Sequence, residues 1–309
     1  MTTLFYLIAY VAIFGFFALI FMKVRAYLNA SPIHVRWELY EVPHEGAKAA
    51  YGGSFMEETD WWTKPRHVDH MGDIKAMVKE ALFLHATFEH NLKLWFRTYP
   101  FHAGIYMLIG GSFLVFLAAL GQLFGASPTN GFFTFIGNVV NVVSVLGMIG
   151  MIGGGIGLIH RRITDAGLSK YSTTEHFFNL GLFIFYALVG LATWATNPSF
   201  FELARTFMVN LLTLDFAPLA SSGFGLHLLL GFALMLWIPA TQMGHVMIKY
   251  FTYHDIRWGD TPTEYSPETQ KVIGEVLQYP VNWSAEHITG QGQKTWVEVA
   301  TTNPAAPKN

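Results

Sequence analysis

Five apolar runs constrain this chain more than any other feature in it. They lie at roughly Leu4–Met22, Tyr99–Phe124, Phe132–Ile159, Phe177–Trp194 and Pro218–Ile248. A helix needs about 20 apolar residues to cross a hydrocarbon core of about 30 Å. No water is present there to bond the backbone, so runs of this kind span as helices. The composition agrees, with 52% hydrophobic residues, 13% charged residues and a mean hydropathy of +0.34. No internal repeat is visible. The glycine-rich "GMIGMIGGGIGLI" of the third run suits close approach of helices in lipid. The expected fold is an all-α integral membrane protein with five transmembrane helices, interfacial helices and an extended cytoplasmic tail.

The charges give the expected orientation. The segments 23–98, 160–176 and 249–309 fall on one side of a five-span chain, and they hold every Lys and Arg except Arg205. The positive-inside rule then makes that side cytoplasmic, with the N-terminus outside. The first apolar run has neither the basic flank nor the small-residue site of a cleavable signal peptide. There is no cysteine, so the chain forms no disulfide, ligates no iron–sulfur cluster and attaches no haem covalently. The net charge of −2 is uninformative, and no nucleic-acid partner is expected.

Two regions are expected: a membrane domain over 1–251, with a cytoplasmic loop at 23–98, and a partner-docking tail over 252–309. Residues 71–97 carry an apolar face at helical spacing and read as one interfacial helix feeding the second span. Phe200, Leu203, Ala204, Phe207, Met208 and Leu211 keep the same spacing and predict a short outer helix over the mouth of the bundle. The tail carries Trp258, Trp283 and Trp296. A disordered segment is poor in tryptophan, so the tail reads as an extended arm packed on a soluble partner.

Histidines inside a membrane helix are costly and usually functional. His102 begins the second span and His245 ends the fifth, so both sit near the cytoplasmic face. Two imidazoles from different helices at one depth suit bis-histidine ligation of a low-spin b-type haem. The competing reading is a pair of interfacial histidines facing headgroups. Arg97, Arg161 and Arg162 flank the site and are candidate propionate contacts, although ordinary positive-inside charge explains them equally. His160 and His176 suit interfacial or supporting roles, the latter in a helix cap with Thr173 or Thr174. His85 lies on the apolar face of the entry helix, where packing is the simpler role.

His227 and His245 are eighteen residues apart. On a continuous helix that is five whole turns and about 27 Å, with both rings on one face. His227 therefore falls near the outer face and lacks a histidine partner. The position about three turns above His102 is Ser112. The open roles for His227 are a quinone contact, a five-coordinate haem, or a second haem with an unusual axial ligand such as Met208 or Met107.

The stretches "YPFHAGIYML" and "HLLLGFALMLWIPATQMGH" resemble the gamma subunit of respiratory nitrate reductase, a five-helix di-haem cytochrome b. The segments "GGGIGLIHRRITD", "STTEHFFNL", "KYFTYHDIRWGD" and "YPVNWSAEHITGQGQKTWVEVAT" resemble more closely the membrane cytochrome b subunits of Dsr-type and heterodisulfide-reductase-like transmembrane complexes. The resemblance covers helices two to five and the tail. It implies an electron-transfer subunit of a quinone-linked oxidoreductase complex in a prokaryotic inner membrane, serving anaerobic respiration and sulfur metabolism. It further implies haem b, menaquinone and a cytoplasmic iron–sulfur partner resembling heterodisulfide reductase, together with other membrane subunits and periplasmic cytochrome c. His102 and His245 match the cytoplasm-proximal haem ligands and His227 matches one distal ligand, while Ser112 stands where the nitrate reductase family has the other. The opposing class is a haem-free membrane anchor or transporter subunit.

Overall fold

The computed structural model describes residues 2–29, 69–197, 199–245, 266–285, 288–289 and 291–303, with short pieces at 46, 58–59 and 63–65. Its long helices are α1 (Thr2–Leu28), α4 (Leu92–Leu123), α5 (Gly131–Thr164), α7 (Thr174–Thr196) and α9 (Ser222–Ala240). These five are long and apolar enough to cross a membrane. The described residues are thus mostly helical, with the five long apolar helices of a multi-pass membrane protein. Between them lie the shorter helices α2 (His70–Phe83), α3 (His85–His90), α6 (Ala166–Ser169) and α8 (Phe200–Thr213).

The chain forms two compact units, and the first comprises residues 1–23 and 77–246. Within it α4 packs along α5, α5 along α7 and α7 along α9. The glycines of α5 explain how closely α4 approaches. A Cβ at Gly154 would lie 2.6 Å from the Phe101 nitrogen and 2.8 Å from the Arg97 carbonyl, and one at Gly150 would lie 2.8 Å from the Pro100 carbonyl. Backbone cannot move aside as a flexible side chain does. Gly154→Val is therefore expected to separate α4 from α5 and cost about 1–3 kcal/mol. Thermal unfolding in detergent checks this; an unaltered Tm would contradict it.

A second cluster joins α1, α8 and α9 through Tyr6, Phe207, Phe224 and Phe232. Tyr6 donates to the Ala217 carbonyl at 3.1 Å, and Tyr10 donates to the Leu211 carbonyl. Helix α8 lies against α4 and α5, and Phe201 fills the space left by Gly137. Arg205 is buried there. Its charge is met by Glu202, by Gln122 Oε1 at 2.6 Å and by the face of Phe133 at 5.5 Å. A buried guanidinium needs such partners.

Two sequence expectations about the membrane unit change. The single entry helix over 71–97 is three helices, broken at Leu84 and Asn91. Leu84 takes a left-handed φ of 51°. The Glu80 carboxylate accepts the Ala86 N–H at 2.8 Å, and the Asn91 side chain accepts the Leu94 N–H at 3.0 Å. Local capping thus outweighs the continuous apolar face. The second change concerns the fifth span. Its α-helix stops at Ala240, followed by a 3-10 turn over Gln242–Gly244. Pro239 removes one backbone donor, and Thr241 is extended at φ −113°, ψ −174°. Lys23 donates to the Thr241 carbonyl at 3.0 Å, a favourable place for a cation at a helix C-terminus. The five-turn relation between His227 and His245 therefore does not hold, since it presumed one unbroken helix. Residues 246–248 of the expected span lie outside the described residues.

The second unit comprises the described parts of 24–76 and 247–309. Its tail portion is a small helix–hairpin–helix rather than an extended arm. Helix α10 (Pro267–Leu277) starts at a Ser266 cap. Strands β1 (Ser284–Ala285) and β2 (Ile288–Thr289) pair antiparallel. Helix α11 (Trp296–Thr301) opens with a reciprocal Thr295–Glu298 capping box. Bonds from the Thr295 backbone and hydroxyl hold the Glu298 carboxyl below its ordinary pKa. Val281 is buried at the centre, and Trp283 meets Trp296 edge-on at 6.2 Å. Trp258 lies outside the described residues.

Candidate functional site

His102 and His245 come together. Their ring centroids are 6.1 Å apart, with the planes at 72°. His102 is held from its own helix: its Nδ1 lies 2.8 Å from the Thr98 carbonyl and 3.2 Å from the Thr98 hydroxyl. His245 is held by the 3-10 turn, its Nδ1 3.3 Å from the Gln242 carbonyl. A carbonyl only accepts, so each ring donates from Nδ1, and the basic lone pair then sits on Nε2. This is the tautomer that suits a metal-binding imidazole. Two rings that hold one metal from opposite sides, each nitrogen about 2 Å from it, have centroids about 6 Å apart. The donor set and its spacing fit bis-histidine ligation of a haem iron. Among the described residues no three His, Cys, Asp or Glu side chains group to hold a metal ion.

The arginines divide. Arg97, on α4, lays its aliphatic stem over Gly157 of α5. Arg161 faces Asp165 at 3.8 Å, and Arg162 donates to the Ser172 hydroxyl at 3.3 Å. Asp165 caps α6 through the Leu168 and Gly167 amides, and these bonds, Leu168 foremost, hold its carboxyl below the usual range. Arg161 and Arg162 thus have local partners in the turn after α5. His176 has a structural task as well. Its Nδ1 accepts the Thr173 N–H at 3.1 Å, closing the cap of α7. His160 is exposed. His85 pairs with Glu89 at 2.9 Å and Lys79 at 2.7 Å.

His227 forms a separate buried site. It is 7% exposed and stacks on Tyr186 at 4.4 Å and 17°, with Phe200 of α8 at 5.9 Å. Gly190 makes room for the ring: a Cβ there would fall 2.4 Å from Met148 Sδ and 2.7 Å from His227 Cε1. The Nδ1 of His227 is buried and has no hydrogen-bond partner among the described residues. The sequence reading missed Tyr186, Met148 and Gly190, since only packing shows which residues of α5 and α7 meet α9.

Ser112 does not face this site. It is exposed on α4, and its neighbour Gly111 turns inward against Ser144. Ten residues fall about 80° short of three helical turns, so Ser112 is off the His102 face. Met107 is 37% exposed, and Met208 packs in the cluster around Phe133 and Phe201. Neither is placed against His227 by these contacts.

No protein-family model, curated protein or solved structure matches the chain. What the fold and the contacts define is a class: a five-span α-helical membrane protein with a paired-histidine site at the end where α4 begins and a lone buried histidine between α7, α8 and α9.

Proposed function

We propose that this chain is a haem b-carrying membrane subunit that exchanges electrons between menaquinone and a cytoplasmic iron–sulfur protein resembling heterodisulfide reductase. The observation that carries the reading is the His102–His245 pair, at 6.1 Å with both Nδ1 atoms turned to backbone carbonyls. The resemblance of the helix-two and helix-five segments to cytochrome b subunits supports it. A bound haem would supply one-electron transfer within the membrane. The protein's part is to fix the two ligands and to keep the surroundings dry with Phe101, Phe183 and Leu234.

In this reading His227 meets the quinone. Its unpartnered Nδ1 suits a quinone oxygen, because a neutral imidazole nitrogen either donates to a carbonyl or accepts from a hydroxyl. With the side bearing 18 of the 19 Lys and Arg cytoplasmic, quinol oxidation there releases protons toward the outside. The anchor or transporter alternative finds less support. Glu175, in the first turn of α7, is the sole carboxylate in the five spanning helices. Transporters commonly carry intramembrane acidic groups and broken helices at the midplane. The deciding experiment is a visible spectrum of the purified chain. A dithionite-reduced α-band of a low-spin b-type haem is expected; a colourless protein carrying no haem would refute the reading.

The tail supplies the docking face for the iron–sulfur partner. Tyr279, Trp283 and Trp296 are exposed on it, and large aromatics are characteristic interface anchors. Truncation after Trp258 is expected to leave the haem spectrum intact and to release the partner during purification. Stoichiometric co-purification of the truncated chain with its partner would show that docking lies elsewhere.

A further inference from the structure

Asn179 is 2% exposed in α7, a costly place for an amide. The Trp237 indole donates to its Oδ1 at 2.6 Å. An indole N–H can only donate, so this bond fixes which end of the amide is oxygen. The NH2 end is then also fixed. It is buried and has no acceptor among the described residues. Holding Trp237 requires one acceptor, and a hydroxyl would supply it. The amide adds two donors whose burial is unfavourable unless an acceptor oxygen meets them.

The level of Asn179 in the bundle indicates which oxygen. Phe101 of α4 meets Phe183 of α7 at 5.3 Å. Helices α4 and α7 both run antiparallel to α5, as the Arg97–Gly157 and Gly104–Gly147 contacts on one side and the Ile184–Gly155 and Met148–Gly190 contacts on the other show. Asn179 is four residues before Phe183, and Arg97 is four before Phe101. Both therefore lie about 6 Å toward the starts of α4 and α7 from the level of the Phe101–Phe183 contact, beside His102. A haem held by that pair would bring two propionate carboxylates, which need donors. An amide donor and a guanidinium at one shared level are what carboxylates require.

We propose that Asn179, its amide fixed by Trp237, donates a hydrogen bond to a propionate of the haem held by His102 and His245. The proposal rests on the haem reading above. Asn179 would act as a positioning and charge-balancing residue, partly neutralising an anion and so favouring the reduced haem. The test is a redox titration of the full-length protein with haem content measured alongside. Asn179→Leu is expected to lower the midpoint potential by three- to tenfold in the reduction equilibrium, about 30–60 mV for one electron. Asn179→Asp keeps the acceptor for Trp237 but places a carboxylate against the propionate, so a larger fall or loss of haem is expected. The Asp variant decides alone if the Leu variant does not fold. Unchanged potential and haem content in the folded variants would overturn the proposal. Unchanged potential with lost quinol-driven reduction would also overturn it and assign the donor to a quinone carbonyl. A parent protein with no α-band sinks the haem reading itself, whereas a normal band with unmoved potentials sinks only the role of Asn179.

Discussion

Replacing His102 or His245 with alanine is expected to remove the low-spin α-band of the reduced protein. Each ring would supply one of two strong axial nitrogens. With one gone, the remaining ligand leaves a high-spin haem or none, because low-spin b-type iron needs both. The structure makes the two losses equivalent: the rings are paired at 6.1 Å, and each is oriented by a carbonyl of its own segment. Neither ring is required for helix packing, since His102 is partly buried and His245 exposed. The variants should therefore fold and insert. The measurement is the dithionite-minus-air difference spectrum with haem quantified per chain. Full α-band intensity in both variants would rule the pair out as ligands.

The second large effect is expected at His227. Changing it to alanine should slow quinol-driven haem reduction about 100-fold, the scale of losing a hydrogen bond that partners a buried polar group. The dithionite-reduced band at His102 and His245 should remain, because that pair lies at the end of the bundle where α4 begins, whereas His227 is near the start of α9. Gly190→Ala offers an independent route to the same result. Its Cβ would have to occupy space within 2.7 Å of the His227 ring and 2.4 Å of Met148 Sδ, so the imidazole must move while its chemistry stays. Stopped-flow reduction by a menaquinol analogue reads both variants. Normal rates in both would place the quinone elsewhere, with the end of the bundle near His160 and His176 the next position to probe.

The two histidine sites differ in how legible they were. That His102 and His245 both fall toward one face was legible from the spans, but their pairing was not, since the turn after α9 brings the rings together. The surroundings of His227 were illegible. Tyr186, Met148 and Gly190 look like ordinary lipid-facing or packing residues in the sequence, and only the rotation of α5 and α7 turns them toward α9. The misplacement of Ser112 has the same origin: a ten-residue step leaves an angular error that depth counting ignores. Asn179 was passed over because one amide in an apolar run has no periodic signature. What distinguishes it is a donor bond from Trp237, 58 residues away.

By itself the sequence determined that the chain has five helices able to span a membrane. Hydrocarbon leaves the backbone no partner but itself, so length and hydropathy suffice to set the class. The helix ends were less legible: α1 runs on to Leu28 past the expected Met22, α4 starts at Leu92 ahead of Tyr99, and α9 stops at Ala240 short of Ile248. Local capping decided the breaks in the entry helix, and tertiary structure decided the end of the fifth helix. The entry helix breaks at Leu84 and Asn91 because side-chain caps satisfy backbone groups better than helix continuation does. The fifth helix stops at Ala240, where Pro239 withdraws a donor and Lys23, arriving from α1, binds the Thr241 carbonyl. That stop turns the chain at 241–244 and seats His245 beside His102. Hydropathy is a property of single residues and reads out locally, whereas this juxtaposition depends on groups 143 positions apart meeting through α4 and the turn after α9.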